Sequence, residues 1–401
     1  MSRRKPSSPC SKSRTEVADE IGVYLHLPFC LSKCAYCDFE SVPLAGAGGL
    51  PTARRYLDAL FVECDRRAAS DEFSGATAAT VYVGGGTPSI LPPEWLAELL
   101  AHVTARFDCV ADMETTVEAN PGTVSGEQLA ALREAGFNRL SLGLQSCSEA
   151  VLRTLGRAHN AVQGLAAAAA AREAGWRNLN VDLIYAVPGQ SLEEWQDTLR
   201  AVISLQPEHV SAYGLSVEPG TPLAAEIQAG RLCEPEDDLY AQMYLAAEKM
   251  LTEAGYEHYE ISNYARPGFA CRHNRSYWLN AEYLGLGVGA HSHRCGVRWN
   301  NHGAVGVYMD RLERGQMPVL RAEALSVHAR VGEALMLGLR QAEGVSEQVL
   351  ADRYGIAPRE LFGLEIEQLA GEGLLIAEEG RLRIPQEKWL VSNEVLGNFI
   401  A

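Results

Sequence analysis

Three cysteines within eight residues, Cys30-Leu31-Ser32-Lys33-Cys34-Ala35-Tyr36-Cys37, constrain this chain more than any other stretch. They follow an apolar run, Gly22-Val23-Tyr24-Leu25-His26-Leu27-Pro28-Phe29. The spacing is C-x3-C-x2-C. Three thiolates on one short loop can hold three irons of a four-iron, four-sulfur cluster. The fourth iron of a cubane then lacks a cysteine, because the position that a C-x-C extension would use is Phe39. That iron is open to another ligand. Two plainer readings compete. Free cysteines are often ordinary core residues, and zinc sites usually want four ligands in two separated pairs. The place of the loop after an apolar strand, and the aromatic Tyr36 inside it, favour the cluster.

The composition is globular. The chain has 401 residues, 47% hydrophobic and 21% charged, with room for one large α/β domain plus a small one, or two to three ordinary domains. A net charge of −16 leaves no electrostatic footprint for nucleic acid. Basic residues do cluster at Arg3, Arg4, Lys5, Lys12 and Arg14, but no apolar h-region follows them. Residues 1–20 therefore read as a disordered tail. No run of about 18 apolar residues is present to span a membrane. The other cysteines, Cys10, Cys64, Cys109, Cys147, Cys233, Cys271 and Cys295, are scattered. Such usage suits a reducing cytoplasm better than a disulfide framework.

Strand-like segments start near residues 23, 80, 115, 139, 179 and 209, with helical patterns between them. Ser125 with Gln128 and Ser191 with Glu194 form capping boxes for two of those helices. Strands alternating with helices argue for parallel β/α units. Six is fewer than the eight of a closed barrel. The expected fold class is α/β, a partial (β/α)6 barrel over residues 21–255. Residues 256–318 read as an irregular linker segment. Residues 319–401 read as a mostly helical domain, with helices over 324–339, 346–354 and 358–372. A strand pair, 374–377 and 381–384, turns at Glu378-Glu379-Gly380, giving a winged-helix-like order. Winged helices often bind DNA. The local charge is not basic enough for that here, so a packing or lid role is expected.

In parallel β/α proteins, ligands gather at the C-terminal ends of the strands. The second strand runs into Gly84-Gly85-Gly86-Thr87-Pro88, where glycines let the backbone approach a ligand and expose N–H donors. Glu118 stands at the end of the third strand and Gln145 at the end of the fourth. Arg157 follows at the next helix, and Asp182 lies in the fifth strand. One acidic residue is normally solvated or capping. Four polar groups at successive strand ends suggest a ligand. Arg157 suits a carboxylate by its bidentate fork. Glu118 and Asp182 suit an ammonium or a ribose diol, and the pairings stay open.

These features resemble the radical S-adenosylmethionine (SAM) superfamily. Over roughly residues 20–400 the chain is similar to the oxygen-independent coproporphyrinogen III oxidase group. The resemblance rests on Tyr24-x-His26-x-Pro28-Phe29-Cys30, Gly84-Gly85-Gly86-Thr87-Pro88, Glu118-Ala119-Asn120-Pro121 and Asp182-Leu183-Ile184-Tyr185. Two features resemble the HemW-type branch, the haem chaperones. The oxidases carry a further cysteine where this chain has Phe39, and the branch carries an H-N-x-x-Y-W motif, here His273-Asn274-Arg275-Ser276-Tyr277-Trp278. The stretch Tyr283-Leu284-Gly285 to Ala290-His291-Ser292 also looks like the family.

The resemblance implies a 4Fe–4S cluster on Cys30, Cys34 and Cys37. It implies SAM at Tyr24, Tyr36, Gly85, Gly86, Thr87, Glu118, Gln145, Arg157 and Asp182. It implies haem as cargo, at His273, Asn274, Tyr277 and Trp278. Imidazole is a common haem ligand, so His273 is the first candidate, with Cys271 and His291 behind it. The competing reading makes His273 and Trp278 core aromatics. His291-Ser292-His293 with Cys295 has soft-metal ligand types, but its spacing specifies no metal. The expected function is a haem chaperone that passes haem to acceptor haemoproteins, respiratory ones among them. A monomer or homodimer is expected, meeting membranes only through partners. The alternative is a radical SAM dehydrogenase that decarboxylates coproporphyrinogen III propionates. A third reading is a cluster-bearing protein with some other SAM substrate.

Overall fold

The computed structural model describes residues 19–400. Residues 1–18 of the expected tail lie outside the described residues. Residues 19 and 20 do not belong to a tail: Glu20 opens the first strand, and Arg294 Nη1 donates to Asp19 Oδ1 at 2.7 Å.

The six expected strands are present and run parallel in chain order. They are β1 (Glu20–Leu27), β2 (Thr77–Gly85), β3 (Asp108–Ala119), β4 (Arg139–Gln145), β5 (Leu179–Tyr185) and β6 (His209–Gly214). Alternation along β1 shows how they are seated. Ile21, Val23, Leu25 and Leu27 are buried in the core shared with the helix α1 (Gly49–Ala68). Gly22, Tyr24 and His26 lie on the opposite face, as period two requires. Between the strands follow α2 (Pro93–Thr104), α3 (Gly126–Glu134), α4 (Glu149–Thr154) and α5 (Ala161–Glu173), and α6 (Leu192–Ser204) precedes β6. Both expected capping boxes form, at Ser125 with Gln128 and at Ser191 with Glu194.

The segment read as an irregular linker is largely regular, and the sheet does not end with the sixth strand. β7 (Glu257–Glu260) and β8 (Asn263–Ala265) extend it antiparallel beyond β6. The helix Arg272–Trp278 follows. A seventh parallel strand, β9 (Tyr283–Leu286), pairs with β1 from Gly22↔Tyr283 to Leu25↔Leu286. Antiparallel β10 (His291–Arg294), β11 (Val297–Asn301) and β12 (Val319–Ala324) continue outward from it. The order across the twelve strands is β12-β11-β10-β9-β1-β2-β3-β4-β5-β6-β8-β7. Backbone pairing decides the outcome: β1 would otherwise present an unpaired edge of donors and acceptors.

The C-terminal part is mostly helical and winged-helix-like. Helices Val327–Gly338, Glu347–Tyr354 and Pro358–Gly371 precede a hairpin, Ile376–Glu378 with Arg381–Arg383. Its two-residue turn, Glu379-Gly380, has positive φ at both positions (50° and 71°), the geometry of a type I′ turn. Val345–Ser346 adds a third strand beside Arg381–Arg383. Ile261 N donates to Arg340 O at 3.1 Å and Ala342 N to Tyr259 O at 3.0 Å, tying this part to the barrel. Among the described residues no helix is long and apolar enough to cross a membrane.

One buried carboxylate locks the strands next to the cysteine loop. Glu63 on α1 is fully buried and accepts from Gly287 N (2.9 Å), Asn301 Nδ2 (2.8 Å) and Tyr308 OH (2.7 Å). Burial raises its pKa, against the pull of these donors. Glu63→Ala strands the buried donors Gly287 N and Tyr308 OH, each costing about 1–3 kcal/mol, while Asn301 Nδ2 keeps Gly287 O at 2.9 Å. A loss of at least about 2 kcal/mol in urea unfolding is expected, with Glu63→Gln milder.

Candidate active site

The C-terminal ends of the parallel strands surround a cavity of about 490 Å³. Cys30, Cys34 and Cys37 all line it. The loop that carries them leaves β1 and is pinned at several points. Phe29–Cys30 pairs parallel with Val42–Pro43. Ala35 N donates to Leu155 O at 3.0 Å, and Leu223 N donates to Ala35 O at 2.9 Å. Thr87 Oγ1 donates to Cys30 Sγ at 3.5 Å, and Arg157 Nη1 to Cys34 Sγ at 3.4 Å. Burial raises the Cys30 and Cys37 thiols above their ordinary range, while hydrogen bonds to Thr87 and Ser41 work the other way. The glycine run is steric as well as polar. A Cβ on Gly86 would lie 2.7 Å from Phe29 O and 3.0 Å from Cys30 Sγ. Only glycine lets the chain leaving β2 pass this close to the first cysteine.

This donor set fits a cluster better than a single ion. Among the described residues no three His, Cys, Asp or Glu converge on one ion position. Each cysteine of a cubane takes its own iron, so thiols spread around a cavity suit a cluster. Leu31 and Phe39 rise from the loop, 52% and 63% exposed, and both line the cavity.

The opposite wall is polar. Register sets Glu118 beside Ser141, Ser141 beside Asn180 and Asn180 beside His209, one level of the barrel interior. Glu118 accepts from Tyr82 OH at 2.7 Å and from Gly85 N at 3.0 Å. Burial pushes its pKa up to about 7, with the Asp182 charge adding to the rise and the two donors opposing it. Asp182 accepts from Ser141 Oγ (2.9 Å) and Asn180 Nδ2 (2.8 Å). Arg157 is held by Gly143 O at 2.7 Å from its Nη2. Gln145 closes β4 with φ 66°, a left-handed position in which a non-glycine residue is uncommon.

Of the residues the sequence pointed to for SAM, Tyr36, Gly85, Gly86, Thr87, Glu118, Gln145, Arg157 and Asp182 line this one cavity. Tyr24 does not. Its hydroxyl bonds His26 Nδ1 at 3.0 Å and it lines a second cavity. Sequence reasoning missed Tyr82, Asn120 and Tyr213, which also line the first. Strand parity was the available signal for Tyr82, two residues before Gly84 on the same face.

The expectation that His273 ligates haem meets a geometric obstacle. His273 is 1% exposed, and both ring nitrogens are engaged, Nδ1 with Thr80 Oγ1 at 2.7 Å and Nε2 with Tyr277 OH at 2.9 Å. Burial pulls its pKa down to about 3. Here the ring is a structural post inside the barrel, stacked on Tyr82 with centroids 5.0 Å apart. Tyr277 stands edge-on to Tyr283, and Trp278 lies beneath the Arg340 guanidinium. Asn274 is only partly buried on the same short helix. Cys271 is fully buried, with its thiol 3.5 Å from Glu114 Oε1. Among the haem candidates His291 alone is exposed.

Comparison with known proteins places the chain in a family. The Radical SAM superfamily profile matches residues 24–202, and the HemN C-terminal domain profile matches residues 325–391. The chain is 40% identical over 379 residues to a protein of Mycobacterium tuberculosis named heme chaperone HemW, covering 94% of each. It is 35% identical to the protein of that name from Bacillus subtilis, over 94% of this chain and 98% of that one. The structure of coproporphyrinogen III oxidase (HemN) from Escherichia coli superposes with TM-score 0.82 at 24% identity, covering 95% of this chain and 90% of that one. That likeness concerns the fold. Two near-full-length matches above 30% identity place the chain by descent: it belongs to the HemW family, within the radical SAM superfamily.

Proposed function

We propose that this chain is a haem chaperone that binds haem, delivers it to acceptor haemoproteins, and carries a SAM-binding 4Fe–4S cluster on Cys30, Cys34 and Cys37. The observation that carries the reading is the near-full-length similarity to proteins named heme chaperone HemW. Phe39 supports it, since the loop offers three cysteines and an aromatic side chain where the resemblance to the oxidases would call for another cysteine. A bound cluster supplies an electron and an iron open to SAM. The chain's own residues would do the rest. Arg157, fixed by Gly143, would present its fork to the SAM carboxylate. Glu118 and Asp182 would accept from the ammonium and the ribose hydroxyls. Gly85 and Gly86 would let the ligand lie against the backbone. A cytoplasmic site of action, with membranes met only through acceptor proteins, completes the proposal.

The test pairs two assays on one reconstituted preparation. Haem titration should show saturable binding with a defined Soret band. Coproporphyrinogen III with SAM and a reductant should yield no protoporphyrinogen beyond trace. Many turnovers per chain would make this a dehydrogenase instead. Slow release of deoxyadenosine without porphyrin product fits the chaperone reading.

A further inference from the structure

We propose that haem docks in a second cavity, between β1, β9 and the cysteine loop, with His291 as its axial ligand. The inference rests on the haem-chaperone reading and gives that cargo a place. The cavity measures about 480 Å³, within the range of small-molecule sites, roughly 300–1,000 Å³. Four of its walls are rings, from Tyr24, Phe39, Tyr277 and Tyr283. Tyr277 and Tyr283 meet edge to face at 4.7 Å, leaving aromatic surface for a flat macrocycle.

Two imidazoles face this cavity, and only one is available. His26 is spent on Tyr24 OH through Nδ1 and on Glu40 O, at 2.8 Å, through Nε2. The His291 ring makes no hydrogen bond among the described residues, is exposed, and starts β10 at the cavity rim. The rim is rigid where it matters. A Cβ on Gly289 would lie 2.8 Å from Glu40 Cγ, so the loop before His291 packs directly on the residue that anchors His26. A cargo must also leave. A cavity at the surface, with Phe39 and His291 exposed on its lining, suits a haem that is held and passed on. His273 lies behind Tyr277, which takes its Nε2, so the H-N-x-x-Y-W helix shapes this wall without ligating iron. Asp38 and Phe39 line both cavities, which places the haem against the loop that follows Cys37.

The experiment titrates haem into reconstituted parent, His291→Ala and His291→Cys proteins, with iron and sulfide content measured on each. His291→Ala is expected to weaken haem at least tenfold and to change the Soret band, with iron and sulfide unchanged. Added imidazole should restore the parent spectrum. His291→Cys should move the band to that of a thiolate-ligated haem. A parallel measurement needs no variant: haem should slow histidine-selective acylation of His291 in the parent, read by mass spectrometry. Parent-like affinity and spectrum in a cluster-replete His291→Ala protein would overturn the site, as would unslowed acylation of His291 under saturating haem. Failure of the parent to bind haem at all would instead sink the chaperone reading, and this site with it.

Discussion

Cys34→Ala is expected to drop the iron retained after anaerobic reconstitution from about four per chain to near zero. The same loss is expected for Cys30→Ala and Cys37→Ala. Three thiols around one cavity supply every protein ligand that the proposed cluster has. Two remaining cysteines cannot hold a cubane whose fourth iron is already without one. The neighbourhood also selects these sulfurs. Arg157 points a guanidinium N–H at Cys34, and Thr87 points a hydroxyl at Cys30. The Thr87 hydroxyl favours the Cys30 thiolate against the burial that raises it. Cys64, by contrast, is buried on α1 with its pKa pushed up to about 12 by desolvation, and Cys109 and Cys233 are exposed elsewhere. Alanine at these three positions should leave iron, sulfide and the brown absorbance unchanged. Full loading in Cys34→Ala would defeat the ligand assignment.

The parallel core was legible because its strands place apolar residues at every second position, the period of a strand with one face in the core. Val23, Leu25 and Leu27, and Leu179, Val181 and Leu183, carry that pattern plainly. The capping boxes at Ser125 and Ser191 marked helix starts because their chemistry is local. β9 was not legible. Its four residues, Tyr283-Leu284-Gly285-Leu286, include a glycine and pair with a strand some 260 positions earlier in the chain. Nothing local announces such a partner. Glycine is required there by packing: a Cβ on Gly285 would sit 2.0 Å from His291 O.

The site was legible to the extent that strand ends could be counted. Glu118, Asp182 and Arg157 came out of that rule, and the register puts them around one cavity. The interior polar ladder did not come out of it, because its members look unremarkable one by one. Asn180 Nδ2 reaches Ser141 and Asp182, and its Oδ1 is 2.6 Å from His209 Nδ1. Parity along β4 and β5 would have aligned them. The difficulty of reading His273 has the same root. A histidine in a motif looks like a ligand until Thr80 and Tyr277 are seen to take both nitrogens.

The protonation of Glu118 gives the second large effect. With its pKa pushed up to about 7 in the ligand-free protein, this carboxyl is largely neutral at pH 6 and below. The shift is upward for an acid, so the native state holds a proton that the unfolded chain has released. This group's contribution to stability is therefore full below the ordinary glutamate range and is lost as pH rises towards about 7. Binding runs the other way. In the proposed site an ammonium or hydroxyls donate to Glu118 and favour the carboxylate, so SAM bound there would have to displace the proton when the pH is below 7. Linkage then weakens SAM about tenfold for each pH unit below that point, and leaves affinity flat above it. Between pH 7.5 and pH 5 the expected loss approaches two orders of magnitude, read by equilibrium dialysis on cluster-loaded protein. Glu118→Gln keeps the acceptor oxygen and removes the titration. It should bind SAM more weakly than the parent at pH 7.5, with most of the pH dependence gone. A parent whose SAM affinity is flat from pH 5 to 7.5 would show that Glu118 does not face the ligand's donors, and Asp182 would take that place.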